Sequence, residues 1–137
     1  MQSHRNEQIV KQFYNHMLEG DYAGAMAIVD EYIVWIEPGA PEVPFGGVYN
    51  GRDSKDGIAK MFQSEAKTVQ LKHFIPRTYF SAQNMVVVLG SDTANVLSTG
   101  KTYSTDWAMF FTITDGKISM VQTYMDTNAI AKAFLPD

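Results

Sequence analysis

A glutamate beside large apolar side chains is the first feature of this sequence that could do chemistry. Strand side chains alternate between two faces, so Ile33, Trp35 and Glu37 share one face of a predicted strand over residues 31–37. Pro38 ends this strand directly after the acid. Because apolar surroundings disfavour the charged carboxylate, we expect the pKa of Glu37 to be raised toward neutrality, where the group could transfer protons. The alternative is a solvated glutamate at the edge of the loop that follows.

The composition is typical of one globular domain. The chain has 137 residues, 45% of them hydrophobic, and a net charge of −4 without any run of Lys or Arg that could follow a phosphate backbone. We therefore expect no nucleic-acid partner. There is no cysteine and no apolar stretch of the roughly 20 residues that span a bilayer, so we expect a cytoplasmic protein with no membrane association. The histidines are scattered, and we expect neither a metal nor another cofactor.

Apolar side chains recur at helical spacing in four segments. The predicted helices cover residues 3–19, residues 22–29, the segment that carries Ile58, Met61 and Phe62, and residues 128–135. Short polar side chains can accept hydrogen bonds from the first free N–H groups of a helix. The predicted caps of the last three helices are Asp21, then Asp53 or Ser54, then Asp126 or Thr127.

The second half of the chain follows a strand pattern. Four strands are predicted over residues 69–82, 84–98, 101–114 and 117–126, joined by short turns. Helices followed by long strands indicate an α+β fold, in which N-terminal helices pack on the concave face of a cone-shaped, curved antiparallel sheet. The loop over residues 38–51 is long for a compact domain, which favours a functional role, and Tyr49 could cover or gate the mouth of the cone.

The inner face of the last two strands predicts an apolar pocket or a packed core. A type I turn at residues 114–117, with a left-handed Gly116 and a bulge, would bring one face of each strand together. That shared face would carry Trp107, Met109 and Phe111 from one strand and Val121, Thr123 and Met125 from the other. Composition alone does not separate a filled cone from a hollow one.

Several short motifs resemble one superfamily over nearly the whole chain. They are Gly20-Asp21, Gly47-Val48-Tyr49-Asn50-Gly51-Arg52-Asp53, Thr99-Gly100-Lys101 with Tyr103, Asp115-Gly116-Lys117-Ile118 and Tyr124-Met125-Asp126. This pattern resembles the SnoaL-like branch of the nuclear transport factor 2-like superfamily, which includes ketosteroid isomerase, limonene epoxide hydrolase and the polyketide cyclases. The resemblance implies the cone-shaped α+β fold, a small hydrophobic ligand and a homodimer formed through the convex sheet face. It says little about chemistry, because this scaffold hosts unrelated activities.

The resemblance to ketosteroid isomerase extends to the position of its general base. Glu37-Pro38 falls where that enzyme has its Asp-Pro base. The tyrosine of its oxyanion hole falls on Phe13, with Tyr14 one residue away, and the partner aspartic acid falls on Met109. Because such donors usually stabilise an oxyanion by a few kcal/mol each, we do not expect steroid isomerisation by that route.

The resemblance to limonene epoxide hydrolase implies a different set of charged groups. The arginine of that enzyme falls on Gly90, and its two aspartates fall on Asp92 and Thr123. Its water-holding tyrosine and asparagine fall on Trp35 and Glu37. Asp92 is then either a second inward carboxylate opposite Glu37 or a polar residue at a strand irregularity. Paired acids in different environments could divide the acid and base roles.

The sequence therefore predicts a single SnoaL-like domain that binds a small apolar molecule. The hypothesis for its activity is cofactor-free isomerisation, cyclisation or hydration, with Glu37 as proton acceptor and with Tyr14 or Asp92 assisting. The rival hypotheses are a non-catalytic ligand-binding or dimeric assembly module and an epoxide hydrolase with an altered site. The predicted substrate-binding residues are Phe13, Met17, Trp35, Tyr49, Phe62, Trp107, Met109, Phe111, Val121, Thr123 and Met125.

Overall fold

The computed structural model describes residues 2–53 and 55–137. Its helices are α1 (Gln2–Leu18), α2 (Tyr22–Ala27), α3 (Ile58–Thr68) and α4 (Thr127–Phe134). Its strands are β1 (Val29–Glu37), β2 (Gly47–Asn50), β3 (Val69–Ala82), β4 (Met85–Val96), β5 (Thr102–Thr114) and β6 (Lys117–Met125). The order of helices before long strands confirms the predicted α+β class.

The strands form one curved, open sheet in the order β2-β1-β6-β5-β4-β3. The long strands β3 to β6 pair with their sequence neighbours in antiparallel fashion, as predicted. One pairing departs from the predicted antiparallel pattern, because β1 lies parallel to β6. This pairing joins the first strand of the chain to the last one. No local turn sets it, so the sequence pattern carried no signal for it.

Two of the predicted caps are present. The side chain of Asp21 accepts a hydrogen bond from the Gly24 N–H at 2.9 Å, and that of Asp126 accepts one from the Ala129 N–H at 3.0 Å. The predicted cap of α3 is wrong for Asp53, because the helix begins at Ile58 after Gly57 and has no side-chain cap. The alternative cap, Ser54, lies outside the described residues.

The start of the sheet differs from the sequence prediction in two ways. β1 begins at Val29, where the pattern predicted helix, because the Val29 backbone pairs with Ile118 of β6. The predicted loop contains β2, in which Tyr49 pairs with Trp35. This four-residue edge strand is too short to show an alternating pattern, and its pairing with β1 defines it.

The hairpin between β5 and β6 has a different turn type from the predicted one, but the predicted faces of the two strands still lie together. Asp115 and Gly116 both have positive φ, 51° and 77°, which defines a type I′ turn. The bulge lies three residues after Gly116, at Ser119, because Thr112 pairs with Met120 while Ile113 pairs with Ile118. This shift places Val121, Thr123 and Met125 opposite Phe111, Met109 and Trp107, on one shared face.

Two apolar clusters fill the space between the sheet and the helices. The larger one packs α1 against the inner face of the sheet, with the Phe13 ring 6.0 Å from Trp35 and 6.2 Å from Phe111. The smaller one lies under α4 and includes Phe45, Tyr103 and Ile130. Met125 contacts both clusters, and the candidate site lies where they meet.

A candidate acid-lined cavity inside the cone

A cavity of about 160 Å³ opens between the two clusters. A cavity of about 150 Å³ in another protein accommodates one benzene molecule, so this one matches a small ring compound. Its walls come from α1, β1, α3 and all of the long strands. The lining residues are Phe13, Tyr14, Met17, Leu18, Trp35, Glu37, Phe45, Met61, Phe62, Glu65, Leu71, Phe74, Asp92, Tyr103, Trp107, Met109, Thr123 and Met125.

Glu37 lies in this wall at the last position of β1 and is 8% exposed. One carboxylate oxygen, Oε1, accepts hydrogen bonds from Trp35 Nε1 at 2.7 Å and from Thr123 Oγ1 at 2.9 Å. Burial raises the pKa of Glu37 to about 7, because it outweighs these two hydrogen bonds and adds to the repulsion from Asp92. The solvated alternative for Glu37 is therefore wrong, and its carboxyl group can exist in both protonation states near neutral pH.

Asp92 also faces the cavity, from the inner side of β4. It is 8% exposed and accepts a hydrogen bond from Thr105 Oγ1 at 2.8 Å. Burial raises the pKa of Asp92, while the Thr105 hydrogen bond opposes that shift. Of the two alternatives for Asp92, the structure supports the inward carboxylate. Asp92 is paired regularly with Thr105 of β5, and the irregularities lie in β3.

Tyr14 of α1 also lines the cavity. Its hydroxyl donates a hydrogen bond to Met109 Sδ at 3.2 Å. Burial, with smaller effects of Tyr79 and Glu37, raises the pKa of Tyr14 well above its usual value, so the hydroxyl stays protonated. A thioether sulfur is a weak acceptor, and the Tyr14 hydroxyl could exchange this bond for one to a ligand oxygen.

Glu65 of α3 is a third carboxyl group in the wall, and the sequence prediction missed it. Burial, followed by repulsion from Glu37 and Asp92, raises the pKa of Glu65 to about 8. Helical spacing carried a signal for this residue, because Glu65 follows Met61 and Phe62 by four and three positions and so shares their apolar face. A lone acid on an apolar helical face is the feature that would have found it.

Most of the predicted substrate-binding residues line the cavity, but three do not. Phe111 and Val121 have no exposed surface and pack inside the larger cluster. Tyr49 belongs to β2, and its hydroxyl donates to the Phe45 carbonyl at 2.9 Å, so it supports the wall from behind. Sequence spacing assigned Phe111 and Val121 to the inner face without showing which end of that face is filled, whereas Tyr49 was predicted to cover or gate the mouth of the cone from the loop.

Gly90 of β4 explains why an arginine does not fit where limonene epoxide hydrolase has one. Gly90 pairs with Trp107 of β5, and the indole covers the glycine. A Cβ atom at Gly90 would lie 2.6 Å from Trp107 Cη2 and 2.5 Å from the Ile75 carbonyl oxygen. The absence of a side chain therefore makes room for Trp107, which stacks on Phe74 at 4.9 Å.

Among the lining residues that the structure describes, the ionisable groups are three carboxyl groups and two tyrosines, with no Lys, Arg or His. Within residues 2–53 and 55–137, no group of three or more His, Cys, Asp or Glu side chains could hold a metal ion. The same part of the chain has no helix that is long and apolar enough to cross a membrane.

The open curved sheet, the helices on its inner side and the enclosed cavity define a cone-shaped α+β protein of the nuclear transport factor 2-like kind. The chain belongs to the SnoaL-like domain family, whose sequence model matches residues 10–121. It has no significant match among curated protein sequences.

Solved structures share this fold over nearly their whole length. An NTF2-like protein from Burkholderia xenovorans LB400 is 32% identical with a TM-score of 0.86, and the match covers 97% of this chain and 98% of that one. An NTF2-like protein from Burkholderia thailandensis E264 is 25% identical with a TM-score of 0.85, covering 96% and 98%. TerC, co-crystallised with polyporic acid, is 22% identical with a TM-score of 0.80, covering 94% and 97%.

Proposed function

We propose that this protein catalyses a cofactor-free acid–base reaction, such as isomerisation, cyclisation or hydration, on a small apolar molecule bound in the cavity. The observation that carries this proposal is the Glu37 carboxyl group, which faces an aromatic cavity and has a pKa of about 7. A group that titrates near the working pH is the most effective general base. In this proposal Glu37 accepts a proton from the ligand.

Asp92 and Tyr14 assist Glu37 in this proposal. Negative charge on Asp92 disfavours the Glu37 carboxylate, which makes Glu37 a stronger base. The Tyr14 hydroxyl donates a hydrogen bond to the ligand in place of the one to Met109. Trp35 and Thr123 hold the carboxylate in a fixed position, so that the other oxygen of Glu37 is left for the proton.

The walls of the cavity limit the ligand to a small hydrophobic molecule. Aromatic side chains cover several sides, with Phe62 against Trp35 at 5.5 Å on one side and Phe74 against Trp107 at 4.9 Å on another. These faces favour planar, unsaturated rings. The co-crystal of TerC with polyporic acid is in keeping with a ligand site in this fold.

The test uses a probe that needs only a base. When a base removes the carbon-bound proton of 5-nitrobenzisoxazole, the C–H electron pair completes a nitrile, the N–O bond breaks, and the ring opens to a coloured cyanonitrophenolate. We expect the wild-type protein to accelerate this reaction and Glu37→Gln to lower the rate roughly 10²- to 10⁴-fold. Glu31→Gln, an exposed change in the same strand, is the matched control. A Glu37→Gln protein that binds the probe and retains the wild-type rate would contradict the proposal.

A non-catalytic ligand-binding module is the second candidate. The observation that favours it is the replacement of the isomerase oxyanion donors by Phe13 and Met109. Measurement of the Glu37 carboxyl pKa by ¹³C NMR separates the two candidates. A pKa near the ordinary value of 4.5 would favour binding without catalysis, whereas a value near 7 supports catalysis.

We also propose a homodimer formed through the convex face of the sheet. Apolar side chains lie on that face, including Leu89 at 40% and Tyr124 at 52% exposure, and the Tyr124 ring contacts Phe110 at 5.5 Å. Paired apolar faces remove such surface from water. Sedimentation equilibrium should give twice the monomer mass for wild type and the monomer mass for Leu89→Glu. A wild-type monomer at micromolar concentration would contradict the dimer.

A further inference from the structure

The cavity lacks any group that could hold a negative charge on a ligand by charge attraction. Its described lining contains no cation, and its carboxyl groups can carry only negative charge. Removal of a proton next to a carbonyl group places negative charge on the carbonyl oxygen. The Tyr14 hydroxyl can give this oxygen a hydrogen bond but keeps its own proton, because burial raises the pKa of Tyr14 well above its usual value. A proton for that oxygen, given as Glu37 takes one from carbon, has to come from another group.

The three carboxyl groups differ in the hydrogen bonds that they receive. Glu37 accepts two, from Trp35 and Thr123, and Asp92 accepts one from Thr105. Hydrogen bonds from neutral donors favour the charged carboxylate. Among the described residues, no side chain or N–H group donates to the carboxyl group of Glu65. The hydrogen bonds at this residue go to its backbone carbonyl.

We propose that Glu65 is the general acid of this cavity and gives a proton to a ligand oxygen while Glu37 takes one from carbon. This inference rests on the proposed role of Glu37 as base. The protein hydrogen bonds favour the anion at Glu37 and leave Glu65 neutral with a free O–H group. A neutral carboxylic acid in an apolar site is an effective proton donor to an oxyanion.

On a ketone probe whose C=C bond lies one carbon away from the carbonyl group, the two roles give a balanced reaction without any further reactant. The Glu37 carboxylate removes the proton from the carbon between the carbonyl and the C=C bond, and the C–H electron pair forms a new C=C bond. The carbonyl π pair moves to oxygen, which takes the proton of Glu65. Glu37 then gives its proton to the far end of the diene, the O–H pair restores the carbonyl group, and Glu65 regains its proton.

The ionisable groups around Glu65 favour its neutral form. Glu37 of β1 and Asp92 of β4 repel its charged form, and burial adds to them to raise the pKa of Glu65 to about 8. The neighbouring ionisable groups of β2 and β5, Tyr49 and Tyr103, are neutral phenols whose pKa values are raised by burial first and by these carboxylates second. No described cation of the lining offsets the repulsion.

Two probes separate the acid role of Glu65 from the base role of Glu37. Elimination of 5-nitrobenzisoxazole needs a base alone, because the phenolate oxygen that N–O cleavage releases is stabilised as an anion by the nitro and cyano groups. Isomerisation of cyclohex-3-enone to the conjugated ketone needs a base and also a proton donor at oxygen. Both molecules have one or two rings, a size that matches the cavity of about 160 Å³.

Glu65→Gln should lower the rate of ketone isomerisation roughly 10²-fold relative to the elimination rate of the same variant. Glu37→Gln should lower both rates, because both reactions need the base. Glu31→Gln serves as the charge-matched control with both rates unchanged. Circular dichroism of each variant checks that the fold is retained, and Glu65→Asp should restore part of the isomerisation rate.

The pH dependence provides a readout that a purely structural role of Glu65 would not change. Isomerisation by wild type should rise with pH as Glu37 ionises near 7 and fall as Glu65 ionises near 8. Elimination should show only the rise. Glu65→Gln should remove the fall from the isomerisation profile.

The outcomes for the two proposals are distinct. Equal losses in both reactions for Glu65→Gln, or no loss in either, would overturn the acid role and leave the base role of Glu37 intact. Unchanged rates in Glu37→Gln, or a wild-type protein that binds both probes without accelerating either, would overturn the proposed function itself. A selective loss of isomerisation in Glu65→Gln supports the inference.

Discussion

The two ends of the cone's inner face are built by the same strands but differ in packing. At the filled end, β4, β5 and β6 contribute Val86, Phe111 and Val121, none of which has any exposed surface. At the hollow end, β4 and β6 contribute Asp92 and Thr123, which line the cavity. The alternation of faces is the same at both ends. Burial alone therefore does not identify a site in this fold, and the side chains along each strand decide whether the cone is filled.

The filled end should be the more sensitive to loss of volume. Phe111→Ala removes a fully buried ring and should lower the free energy of unfolding by about 3–5 kcal/mol, through lost burial and the space left behind. Met125→Ala, at the partly exposed hollow end, should cost less than about 2 kcal/mol. Urea denaturation of both variants measures the difference, and equal costs would remove the distinction between the two ends.

The hollow end should give stability an unusual pH dependence. Because the folded protein keeps a proton on Glu37 that the unfolded chain releases above its ordinary pKa of 4.5, unfolding releases protons between pH 4.5 and about 7. The free energy of unfolding should therefore fall as pH rises through this range. Over this range Glu37 should lower the free energy of unfolding by about 3 kcal/mol, at roughly 1.4 kcal/mol per pH unit.

Glu37→Gln tests this dependence, because glutamine does not titrate. Urea denaturation from pH 4.5 to 8 should give a flatter profile for the variant than for wild type, with Glu65 and Asp92 responsible for the remaining slope, because burial raises both of their pKa values. Wild-type protein whose stability rises over this range would show that Glu37 is not buried as an acid.

Gly90 lies at the boundary between the two ends, and a side chain there should disturb the wall. Gly90→Ala places a methyl group against Trp107 and the Ile75 carbonyl, with an expected cost of about 1–3 kcal/mol and a shift of the Trp emission. Gly100→Ala is the control, because its φ of 75° strains alanine while nothing lies within 4 Å of its Cβ. The control should lose stability without a change in emission. The same emission shift in both variants would contradict the contact.

The smallest expected effect concerns the electrostatic coupling inside the hollow end. Asp92→Asn removes a negative charge that raises the pKa of Glu37, so this pKa should fall while the Thr105 hydrogen bond is kept. Titration of the Glu37 carboxyl by ¹³C NMR measures the shift. An unchanged pKa would show that Asp92 does not act on Glu37.

Local patterns predicted the elements of this fold better than their pairing. The alternation along β3 to β6 and the spacing along α1 come from the contrast between one buried and one exposed side, which each segment carries by itself. The parallel contact of β1 with β6, and β2 with its four residues, depend on partners far away in the sequence. No periodicity within either segment could have shown them.

The candidate site was predicted only in part, because local patterns do not show which distant segments pack together. Glu37 was predicted to face an apolar interior because the residues on its face of the strand are apolar, and it lines the cavity. Phe111 and Tyr49 were assigned to the pocket wall, although one fills the core and the other supports the wall from behind. Glu65 was missed although it shares the helical face of Met61 and Phe62, because an acid at the end of an apolar stripe resembles an exposed residue.

The sequence by itself determined which side of each strand is apolar and that an acid ends β1, because these properties depend only on neighbouring residues. The tertiary structure alone decided that Glu37, Glu65 and Asp92, from β1, α3 and β4, share one cavity without a cation. Their pKa values depend on that meeting, since burial and mutual repulsion arise only when distant segments pack together.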